Sequence, residues 1–418
     1  MFEIIEKYNF WDNQIIKTGF IRDFYLNKIL PYIDNPLIKV LIGQRRVGKS
    51  YIMRMIIDKL IKRNINPKNI LYINKDIFDL DFIKDGESLK QVISEYKTKL
   101  KIQGKIYIFI DEIQEIKEWE KIINSLSQDY IDQYDIYISG SNSNLLSKEL
   151  STYISGRYVL FEIFPFGYKE YLSFLHLENN KLSFIEYLKN GGMPETLYLS
   201  DYELKRNYIN ALKDSIILKD IIHRHNIRDS FLLEHLINFL IDSTGSFFSI
   251  NKIVNYLSSN KIKTNNETIG NYTKFIEDTF LIHGIDKYDI KGKEILSSEK
   301  KYYLNDLSFK YFLTSSFDYN ISRYLENIIF IHLKRNGYKL YIGKIKEKEI
   351  DFIAEKDKEK MYLQVCYILS DQSIIDREFG NLALIKDNYE KYIISMDDIN
   401  FGNKEGIKHI LAWDFLNK

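Results

Sequence analysis

The chain has 418 residues, of which 45% are hydrophobic, and this length suits roughly two to four domains with sizeable cores. The 59 basic and 58 acidic side chains leave a net charge of +1, which excludes a general electrostatic attraction to nucleic acid or membranes. One cysteine, Cys366, excludes an intramolecular disulfide and fits a reducing compartment. The first residues lack the basic and apolar regions of a signal peptide, and no apolar run reaches the length of about 18 residues that a membrane span needs. We therefore expect a cytoplasmic protein with no membrane partner.

A phosphate-binding loop is predicted at residues 43–50, which match the Walker A pattern G-x-x-x-x-G-K-[ST]. The apolar run Ile38–Ile42 before it is typical of a buried strand, and Tyr51–Ile61 after it has the apolar spacing of a helix. Between a strand and a helix, consecutive backbone N–H groups and the helix N-terminus form a cradle for phosphate oxygens. The predicted nucleotide-binding residues are Gly43, Gln44, Arg45, Arg46, Val47, Gly48, Lys49 and Ser50.

Two acidic residues follow the next strongly apolar strand. Ile106–Ile110 is a continuous apolar run, as in a parallel strand buried on both faces, and it ends in Asp111-Glu112. In P-loop ATPases an aspartate at this place orients the metal, and a neighbouring polar residue orients the attacking water. We predict that Lys49 contacts the γ-phosphate and that Ser50 and Asp111 hold Mg²⁺. Glu112 is predicted to activate the water, with ATP as the nucleotide.

Polar residues also follow a third predicted strand, Tyr134–Ser139. Ser141 or Asn142 is in a position to hold the lytic water. Either residue is equally suited to a turn or a helix cap, because Ser and Asn bond readily to nearby backbone groups. A helix is predicted next, at Asn144–Leu150, and the choice between the two polar residues stays open.

Arg157 stands directly before another predicted strand, Tyr158–Ile163. From this place an arginine either reaches the γ-phosphate bound to a neighbouring copy of the chain or pairs with an acidic residue of its own domain. The first role requires a homo-oligomer, and the sequence leaves both roles open.

Motifs along nearly the whole chain are shared with a known group of proteins. They are the loop at 43–50, Asp111-Glu112-Ile113-Gln114, Gly156-Arg157, Gly191-Gly192-Met193-Pro194, Lys301-Tyr302-Tyr303-Leu304-Asn305-Asp306, Glu349-Ile350-Asp351-Phe352 and Gln364-Val365-Cys366. In these motifs the chain resembles the prokaryotic AAA+-type predicted ATPases that carry a C-terminal domain of unknown function. The resemblance implies a nucleotide-sensing role for Ser141 or Asn142 and the role of an arginine finger for Arg157.

The resemblance and the order of predicted elements together give an α/β fold class with four parts. Residues 1–166 are predicted to form an AAA+-type parallel-sheet core, and residues 167–240 have the helical apolar spacing of a lid. Residues 241–316 are predicted to form a winged helix. Residues 317–418 are predicted to form a restriction-endonuclease-like α/β domain.

The predicted winged helix contains helices at 249–257 and 268–276 and strands at 281–288 and 301–304. Basic and amide side chains on or beside the second helix are of the types that contact phosphates and base edges. The possible DNA-contacting residues are Lys261, Lys263, Asn266, Asn271 and Lys274. Winged helices also serve as protein–protein modules, so DNA and a partner protein both remain candidate partners.

The last part has the predicted order helix, three strands, helix, strand, with the third strand predicted at 361–369 and the second helix at 377–387. Glu326 on the first helix, Asp351 on a strand and Gln364-x-Cys366 on the next strand resemble the PD-(D/E)xK nuclease core. That core needs a second carboxylate and a lysine where this chain has glutamine and a thiol, which cannot replace them. We therefore predict an inactive nuclease site with at most residual metal binding by Glu326 and Asp351, and a buried, inert Cys366.

Three functions are compatible with these features. The first is a Mg²⁺-dependent ATPase whose nucleotide state switches the winged-helix and nuclease-like parts, which act on DNA or a partner protein. The second is a slow STAND-like nucleotide switch in regulation or defence, and the third is an ATP-gated nuclease. We predict the Mg²⁺-dependent ATPase. The ATP-gated nuclease lacks its carboxylate–lysine pair, and the slow switch differs from the ATPase only in turnover rate and assembly.

Overall fold

The computed structural model describes residues 1–12, 14–129, 131, 133–143, 154, 156–314 and 321–418, with the backbone alone at 297–299. The described chain forms two compact units, Met1–Ile163 and Phe164–Lys418. The helix predicted at Asn144–Leu150 lies outside the described residues. The four-part division of the sequence stays a prediction.

The first unit contains a parallel sheet with the strand order β2-β3-β4-β1-β5. Its strands are β1 (Ile38–Ile42), β2 (Ile70–Asn74), β3 (Ile106–Asp111), β4 (Tyr134–Gly140) and β5 (Tyr158–Glu162). β1 and β3 are buried along their whole length, as their unbroken apolar sequences predict. Because all five strands run in the same direction, the segments that follow β1, β3 and β4 meet at one edge of the sheet.

Helices surround this sheet. They are α1 (Phe2–Lys7), α2 (Asp23–Ile29), α3 (Lys49–Lys62), α4 (Gly86–Leu100) and α5 (Trp119–Ser127), with 3₁₀ turns at Leu30–Tyr32, Pro67–Asn69, Phe78–Leu80 and Ile113–Glu115. α3 confirms the helix predicted after the loop, and Ile52, Ile56 and Leu60, spaced four residues apart, are fully buried. This burial fixes the helix whose first turn carries Lys49 and Ser50.

The second unit begins with helices. They are α6 (Tyr168–Leu175), α7 (Lys181–Asn190), α8 (Tyr202–Ser215), α9 (Ser230–Asp242), α10 (Ile250–Ser259), α11 (Asn266–Asp278), α12 (Ser308–Leu313), α13 (Ile321–Arg335), α14 (Gln372–Ala383) and α15 (Ala412–Leu416). α8 continues through a π-helical segment, Ile216–Ile222, and a last turn, His223–His225, and a 3₁₀ turn covers Pro194–Tyr198. No helix in the described ranges is long and apolar enough to cross a membrane.

The two glycines between α7 and the 3₁₀ turn are required by close backbone contacts. A Cβ on Gly191 would lie 2.0 Å from Oδ1 of Asp306, and a Cβ on Gly192 would lie 2.0 Å from the carbonyl oxygen of Phe166. Gly192 also donates its N–H to Oδ2 of Asp306 at 2.6 Å, and Ser308 donates its N–H to Oδ1 at 2.9 Å. The glycine motif and the aspartate motif noted in the sequence are therefore two halves of one buried contact.

Nine strands of the described chain form a mixed sheet in the second unit, with the order β13-β14-β12-β11-β10-β9-β7-β8-β6. They are β6 (Phe247–Phe248), β7 (Ile282–Asp289), β8 (Glu294–Leu304), β9 (Lys339–Ile345), β10 (Lys348–Lys356), β11 (Glu359–Val365), β12 (Glu390–Ser395), β13 (Asn403–Lys404) and β14 (Ile407–Leu411). β7 and β8 form the predicted hairpin, but β7 also pairs in parallel with β9. The hairpin is therefore continuous with the C-terminal sheet.

Three predicted boundaries in the last part were wrong. β11 ends at Val365 instead of Leu369, because the Leu369 N–H is bound by the Asp397 carboxylate instead of by a neighbouring strand. α14 begins at Gln372, five residues early, because Asp371 accepts the N–H groups of the first turn and caps the helix there. The same helix ends at Ala383 instead of Asp387. β13, β14 and α15 were not predicted.

Candidate functional site

The loop that follows β1 depends on two glycines. Gly43 has a φ of 145°, and a Cβ there would lie 2.2 Å from the carbonyl oxygen of Ile163. Gly48 has a φ of 97° and directly precedes the first residue of α3, Lys49. These conformations are open to glycine at little cost, so the two fixed glycines of the motif have a geometric cause.

Lys49 is the most constrained cation of the loop. Its side chain is 4% exposed, and its Nζ donates to the carbonyl oxygens of Gly43 at 2.9 Å and Gln44 at 3.1 Å. The same Nζ lies 3.8 Å from Oε1 of Glu112. The lysine of the loop and the second acid after β3 thus face each other.

Asp111 is fully buried at the end of β3. Its carboxylate accepts hydrogen bonds from the hydroxyls of Ser139 and, at 3.2 Å, Tyr72. Burial and the nearby Glu112 carboxylate raise the pKa of Asp111, and the hydroxyls of Ser139 and Ser50 and the charge of Lys49 oppose this. A cation beside Asp111 would stabilise its charged form.

Glu112 has a left-handed backbone, with a φ of 54°, which aims it away from the strand direction. Its N–H donates to Oγ of Ser139 at 3.2 Å, and its Oε2 accepts a hydrogen bond from the Gln114 amide. Burial would raise the pKa of Glu112, but the charges of Lys49 and Arg45 and the Gln114 bond outweigh it and lower the pKa. At neutral pH this carboxylate is therefore ionised and able to accept a proton.

The two candidate residues after β4 lie at the same edge of the sheet. Ser141 and Asn142 are both buried, and Oγ of Ser141 lies 3.4 Å from Nε2 of Gln114. β4 lies between β1 and β3 in the sheet. The residue in direct contact with Asp111 is Ser139, inside the strand, which the sequence did not single out.

Arg157 directly precedes the first residue of β5, so it lies at the edge of the sheet opposite to the phosphate loop. Its carbonyl oxygen accepts the N–H of Ile38, the first residue of β1, at 2.9 Å, whereas the phosphate loop follows the last residue of β1. The exposed Arg157 side chain therefore starts from the far edge of the sheet. Within one copy of the chain, this position does not bring Arg157 to the loop.

The remaining loop residues differ in exposure. Gln44 and Val47 are buried, Arg45 is half-buried, and Arg46 is exposed with a φ of 67°. Arg22, before α2, donates from Nη1 to the carbonyl oxygen of Val47 at 2.9 Å. This buried supporting arginine was missed, and nothing in its local sequence distinguishes it from a surface arginine.

The oxygen atoms that could bind a metal ion at the loop suit a hard cation. Ser50 and Asp111 offer a hydroxyl and a carboxylate, which are the oxygen ligands that Mg²⁺ prefers. Among the described residues there is no group of three or more His, Cys, Asp or Glu side chains placed to hold a metal. A metal at Ser50 and Asp111 would therefore depend on phosphate oxygens for the rest of its ligands, as Mg²⁺ commonly does.

The candidate DNA-contacting residues are all exposed on or before α11. The buried side of this helix contains Ile269, Thr273 and Ile276, and Asn265 caps its first turn by accepting the Thr268 N–H at 2.8 Å. The exposed set is Lys261, Lys263, Asn266, Asn271 and Lys274. These side chains can be reached by a partner, and Nδ2 of Asn266 is bonded to Asn251.

The four residues of the predicted inactive nuclease site line one cavity of about 880 Å³ in the second unit. They are Glu326 on α13, Asp351 on β10, Gln364 on β11 and Cys366 directly after β11. Burial raises the pKa of the Cys366 thiol strongly, so it remains protonated, as predicted for an inert thiol.

A lysine that the sequence did not assign lies in this cavity. Nζ of Lys301, on β8, is 2.9 Å from Oε1 of Glu326 and 2.7 Å from Oε1 of Glu349, and Tyr303 also donates to Glu326. Burial would lower the pKa of Lys301, but the surrounding carboxylates outweigh it and raise the pKa. Oδ2 of Asp351 accepts the Val365 N–H at 2.7 Å, and burial raises the pKa of this carboxyl well above its usual value.

Two family models match separate parts of the chain. A model described as an AAA domain matches residues 35–172, which include the loop and all five strands, β1 to β5. A model described as a domain of unknown function (DUF8612) matches residues 181–319. The first match covers the whole edge of the sheet at which Lys49, Asp111 and Glu112 meet.

Full-length relatives and solved structures are also similar to the chain. An uncharacterised protein of Haemophilus influenzae is 38% identical over 96% of this chain and 99% of its own length. One of Methanocaldococcus jannaschii is 32% identical over 90% of this chain and 85% of its own length. The RuvB Holliday junction branch migration motor of Thermotoga maritima is 14% identical and covers 63% of this chain and 89% of that chain with a TM-score of 0.33. AMPPCP-bound DnaA of Aquifex aeolicus is 15% identical and covers 65% of this chain and 91% of that chain with a TM-score of 0.31.

The curated relatives align over nearly their whole length, whereas the solved structures are too distant to define more than a broad likeness. The loop geometry, the two acids after β3 and the AAA match agree on a P-loop core in the first unit. The chain therefore belongs to the same family as these H. influenzae and M. jannaschii proteins, and its residues 35–172 form an AAA domain of the P-loop ATPase class.

Proposed function

We propose that the protein is a Mg²⁺-dependent ATPase that binds ATP at residues 43–50 and hydrolyses its γ-phosphate. The observation that carries the proposal is the placement of Nζ of Lys49 3.8 Å from Oε1 of Glu112, with Asp111 directly beside them. A cation for the phosphate, a carboxylate for the metal and a carboxylate for water are the parts that phosphoryl transfer to water requires.

Each part has a specific role in the proposed reaction. The loop N–H groups and Lys49 bind the phosphate oxygens and stabilise the charge that develops on them. Ser50 and Asp111 hold Mg²⁺, which when bound supplies positive charge to the β- and γ-phosphates. Glu112, ionised at neutral pH, orients a water molecule and accepts its proton. Ser141 or Asn142 adds a hydrogen bond to that water.

The nucleotide state is proposed to act on the second unit, which would then engage DNA or a partner protein. The exposed lysine and asparagine side chains on and before α11 support this proposal, because they match the groups that contact phosphates and bases. Arg157 is proposed to act on a second copy of the chain. This role fits an exposed side chain that starts from the sheet edge far from its own loop.

A second candidate function is a slow nucleotide switch. It is favoured by the Gln114 amide, which bonds to Oε2 of Glu112 while Oε1 faces Lys49. A carboxylate with both oxygens engaged is a poor base until one of them is released. Under this alternative the bound nucleotide holds one conformation and hydrolysis resets it. Cleavage of DNA is not part of either proposal, because Gln364 and Cys366 stand where a nuclease needs a carboxylate and a lysine.

The test is ATP hydrolysis by the purified protein, measured as phosphate release with and without Mg²⁺ and with single-stranded or double-stranded DNA. The same samples are examined for DNA cleavage. Mg²⁺-dependent turnover that DNA increases, without cleavage, supports an ATPase acting on DNA. Tight nucleotide retention with turnover well below the usual enzymatic range of about 1–10³ per second favours the switch. Absence of ATP binding would refute both.

A further inference from the structure

The cavity that contains Lys301 has an unusual set of polar groups. Its carboxylates are Glu326 on α13, Glu349 and Asp351 on β10, and Glu378 on α14, and a buried ammonium already lies between Glu326 and Glu349. Lys301 is 7% exposed, so the cation is built into the protein and is not a mobile surface charge. The chain thus supplies its own positive charge at Glu326 and Glu349.

Two further groups in the same cavity are acceptors without a donor among the described residues. Oε1 of Gln364 and Oε2 of Glu378 are both buried, in side chains that are 7% and 4% exposed. Glu378 uses its other oxygen to accept two hydrogen bonds from Arg377, at 2.9 and 2.6 Å. Buried acceptors that lack a partner are costly, so both oxygens require an N–H or O–H donor.

The chemistry of these groups excludes several occupants. An anion such as a phosphate would face the four carboxyl groups of Glu326, Glu349, Asp351 and Glu378, and two of the cations in the cavity, Lys301 and Arg377, are already paired with these groups. A divalent cation has twice the charge of a guanidinium and would be repelled more strongly by the Lys301 ammonium, and the described residues contain no group of three metal-ligating side chains. A volume of about 880 Å³ is also far larger than one metal ion needs and falls within the range of ligand cavities, roughly 300 to 1,000 Å³.

We propose that this cavity is a metal-free binding site for a guanidinium group, with Gln364 Oε1 and Glu378 Oε2 as its acceptors and Lys301 as the resident cation. A guanidinium carries a single delocalised charge and five N–H donors in a planar fork, so it can serve acceptors on separate elements. The half-buried Glu349, 34% exposed, supplies the opposite charge at the mouth of the cavity. The proposal is independent of ATP binding by the first unit.

The guanidinium belongs either to a free cation or to an arginine side chain of a partner protein. Both sources share the chemistry, and two probes distinguish them: agmatine for the free cation and the blocked peptide N-acetyl-Gly-Arg-Gly-amide for the side chain. Tighter binding of the peptide identifies a protein partner, and tighter binding of agmatine identifies a small molecule.

The experiment is isothermal titration of the full-length protein, without nucleotide, using agmatine, the peptide, MnCl₂ and inorganic phosphate. We expect one guanidinium probe to bind and both Mn²⁺ and phosphate to show no site in this unit. Gln364→Met and Glu378→Gln should each weaken the binding at least tenfold, because each removes one acceptor while nearly preserving side-chain volume. Glu390→Gln is the matched control, since Glu390 is exposed on β12 and pairs with Lys408 outside the cavity.

Three results would overturn the proposal. One is that neither guanidinium probe binds the wild-type protein. Another is that binding persists unchanged in both cavity variants while their thermal unfolding matches that of the wild type. The third is Mn²⁺ binding without nucleotide that Asp351→Asn abolishes, because it would make the cavity a metal site despite Lys301. If either Gln364→Met or Glu378→Gln fails to fold, guanidinium binding by the other variant still tests the proposal.

Discussion

Nζ of Lys49 lies 3.8 Å from Oε1 of Glu112 and is bonded at the same time to the carbonyl oxygens of Gly43 and Gln44. The chain's own oxygens therefore hold the ammonium at the place where phosphate oxygens are expected. A bound γ-phosphate would take over these bonds and would also remove the cation that faces Glu112. Nucleotide binding and release of the Glu112 carboxylate are thus coupled through one side chain.

Lys49→Ala should abolish ATP binding. The change removes the only loop cation that is buried at this edge of the sheet among the described residues, and it removes the larger of the two opposite charges, Lys49 and Arg45, that lower the pKa of Glu112. We expect affinity for ATP to fall at least 100-fold, about 3 kcal/mol, as measured by titration with a fluorescent ATP analogue. Lys62→Ala is the control, because Lys62 is exposed near the end of the same helix and pairs only with Asp58. Equal affinities in Lys49→Ala and wild type would contradict the site.

Glu112→Gln should bind ATP and fail to hydrolyse it. The amide keeps the size of the side chain but cannot accept a proton, so turnover should fall at least 100-fold, about 3 kcal/mol of activation free energy. Steady-state phosphate release and ATP affinity are measured on the same preparation. Glu115→Gln, an exposed acid three residues along, should retain wild-type turnover. Hydrolysis by Glu112→Gln at the wild-type rate would assign the water-activating role to another residue.

Gln114→Leu should raise the turnover rate. The leucine removes the amide that bonds to Oε2 of Glu112 and keeps a side chain of similar volume, so the carboxylate is freed to accept a proton. Loss of one hydrogen bond to a charged group is expected to change the rate by up to about tenfold, near 1.4 kcal/mol. The matched control is Gln128→Leu, since Gln128 is exposed and its side-chain hydrogen bonds go to Asn124, away from Glu112. A lower rate in Gln114→Leu would instead mean that Gln114 positions Glu112 for catalysis.

The parts of the site that depend on adjacent residues could be predicted from the sequence. The strand, loop and helix around residues 43–50 follow from an apolar run, two glycines and a helical apolar pattern, all within a short segment. β3 and its terminal Asp111 follow from an apolar run of the same kind. Sheet order was not needed for any of these elements, because each is decided by its own sequence.

The site residues that the sequence did not predict make their contacts only because particular strands pair with each other in the sheet. Ser139 contacts Asp111 only because β4 pairs with β3, and nothing in the local sequence of β4 distinguishes this serine. Lys301 reaches Glu326 and Glu349 because the hairpin of β7 and β8 joins the C-terminal sheet through the β7–β9 pairing. A hairpin predicted as the wing of a separate domain gave no reason to look for its lysine in the next domain's cavity.

Ser139→Ala should destabilise the first unit. The hydroxyl donates to the buried Asp111 carboxylate and accepts the Glu112 N–H at 3.2 Å, and alanine leaves both groups short of a partner. The free energy of unfolding should fall by about 1–3 kcal/mol, as measured by chemical denaturation. The control Ser127→Ala removes a hydroxyl that bonds only to the Asn124 carbonyl one helical turn away. Equal losses of unfolding free energy in the two variants would show that the Ser139 hydrogen bonds stabilise the protein no more than the Ser127 hydrogen bond does.

Protonation of the Asp306 carboxyl is expected to make the stability of the second unit depend on pH. It accepts the N–H groups of Gly192 and Ser308, and its burial raises its pKa from 3.8 to about 6 although these hydrogen bonds lower it. The folded protein therefore keeps a proton on Asp306 at pH values where the unfolded chain has already lost it. Since the folded state binds more protons between about pH 4 and pH 6, the stability that Asp306 contributes is lost as the pH rises through this window.

Asp306→Asn should remove this dependence, because an amide does not titrate. The difference in unfolding free energy, wild type minus variant, should be largest near pH 4 and should decrease by up to about 3 kcal/mol by pH 7. It is obtained from urea unfolding curves of both proteins at several pH values in the same buffer series. Asp376→Asn, an exposed aspartate on α14, should give a difference that does not decrease in this way. A wild-type advantage that grows with pH would mean that the two N–H groups stabilise the charged carboxylate more than burial destabilises it.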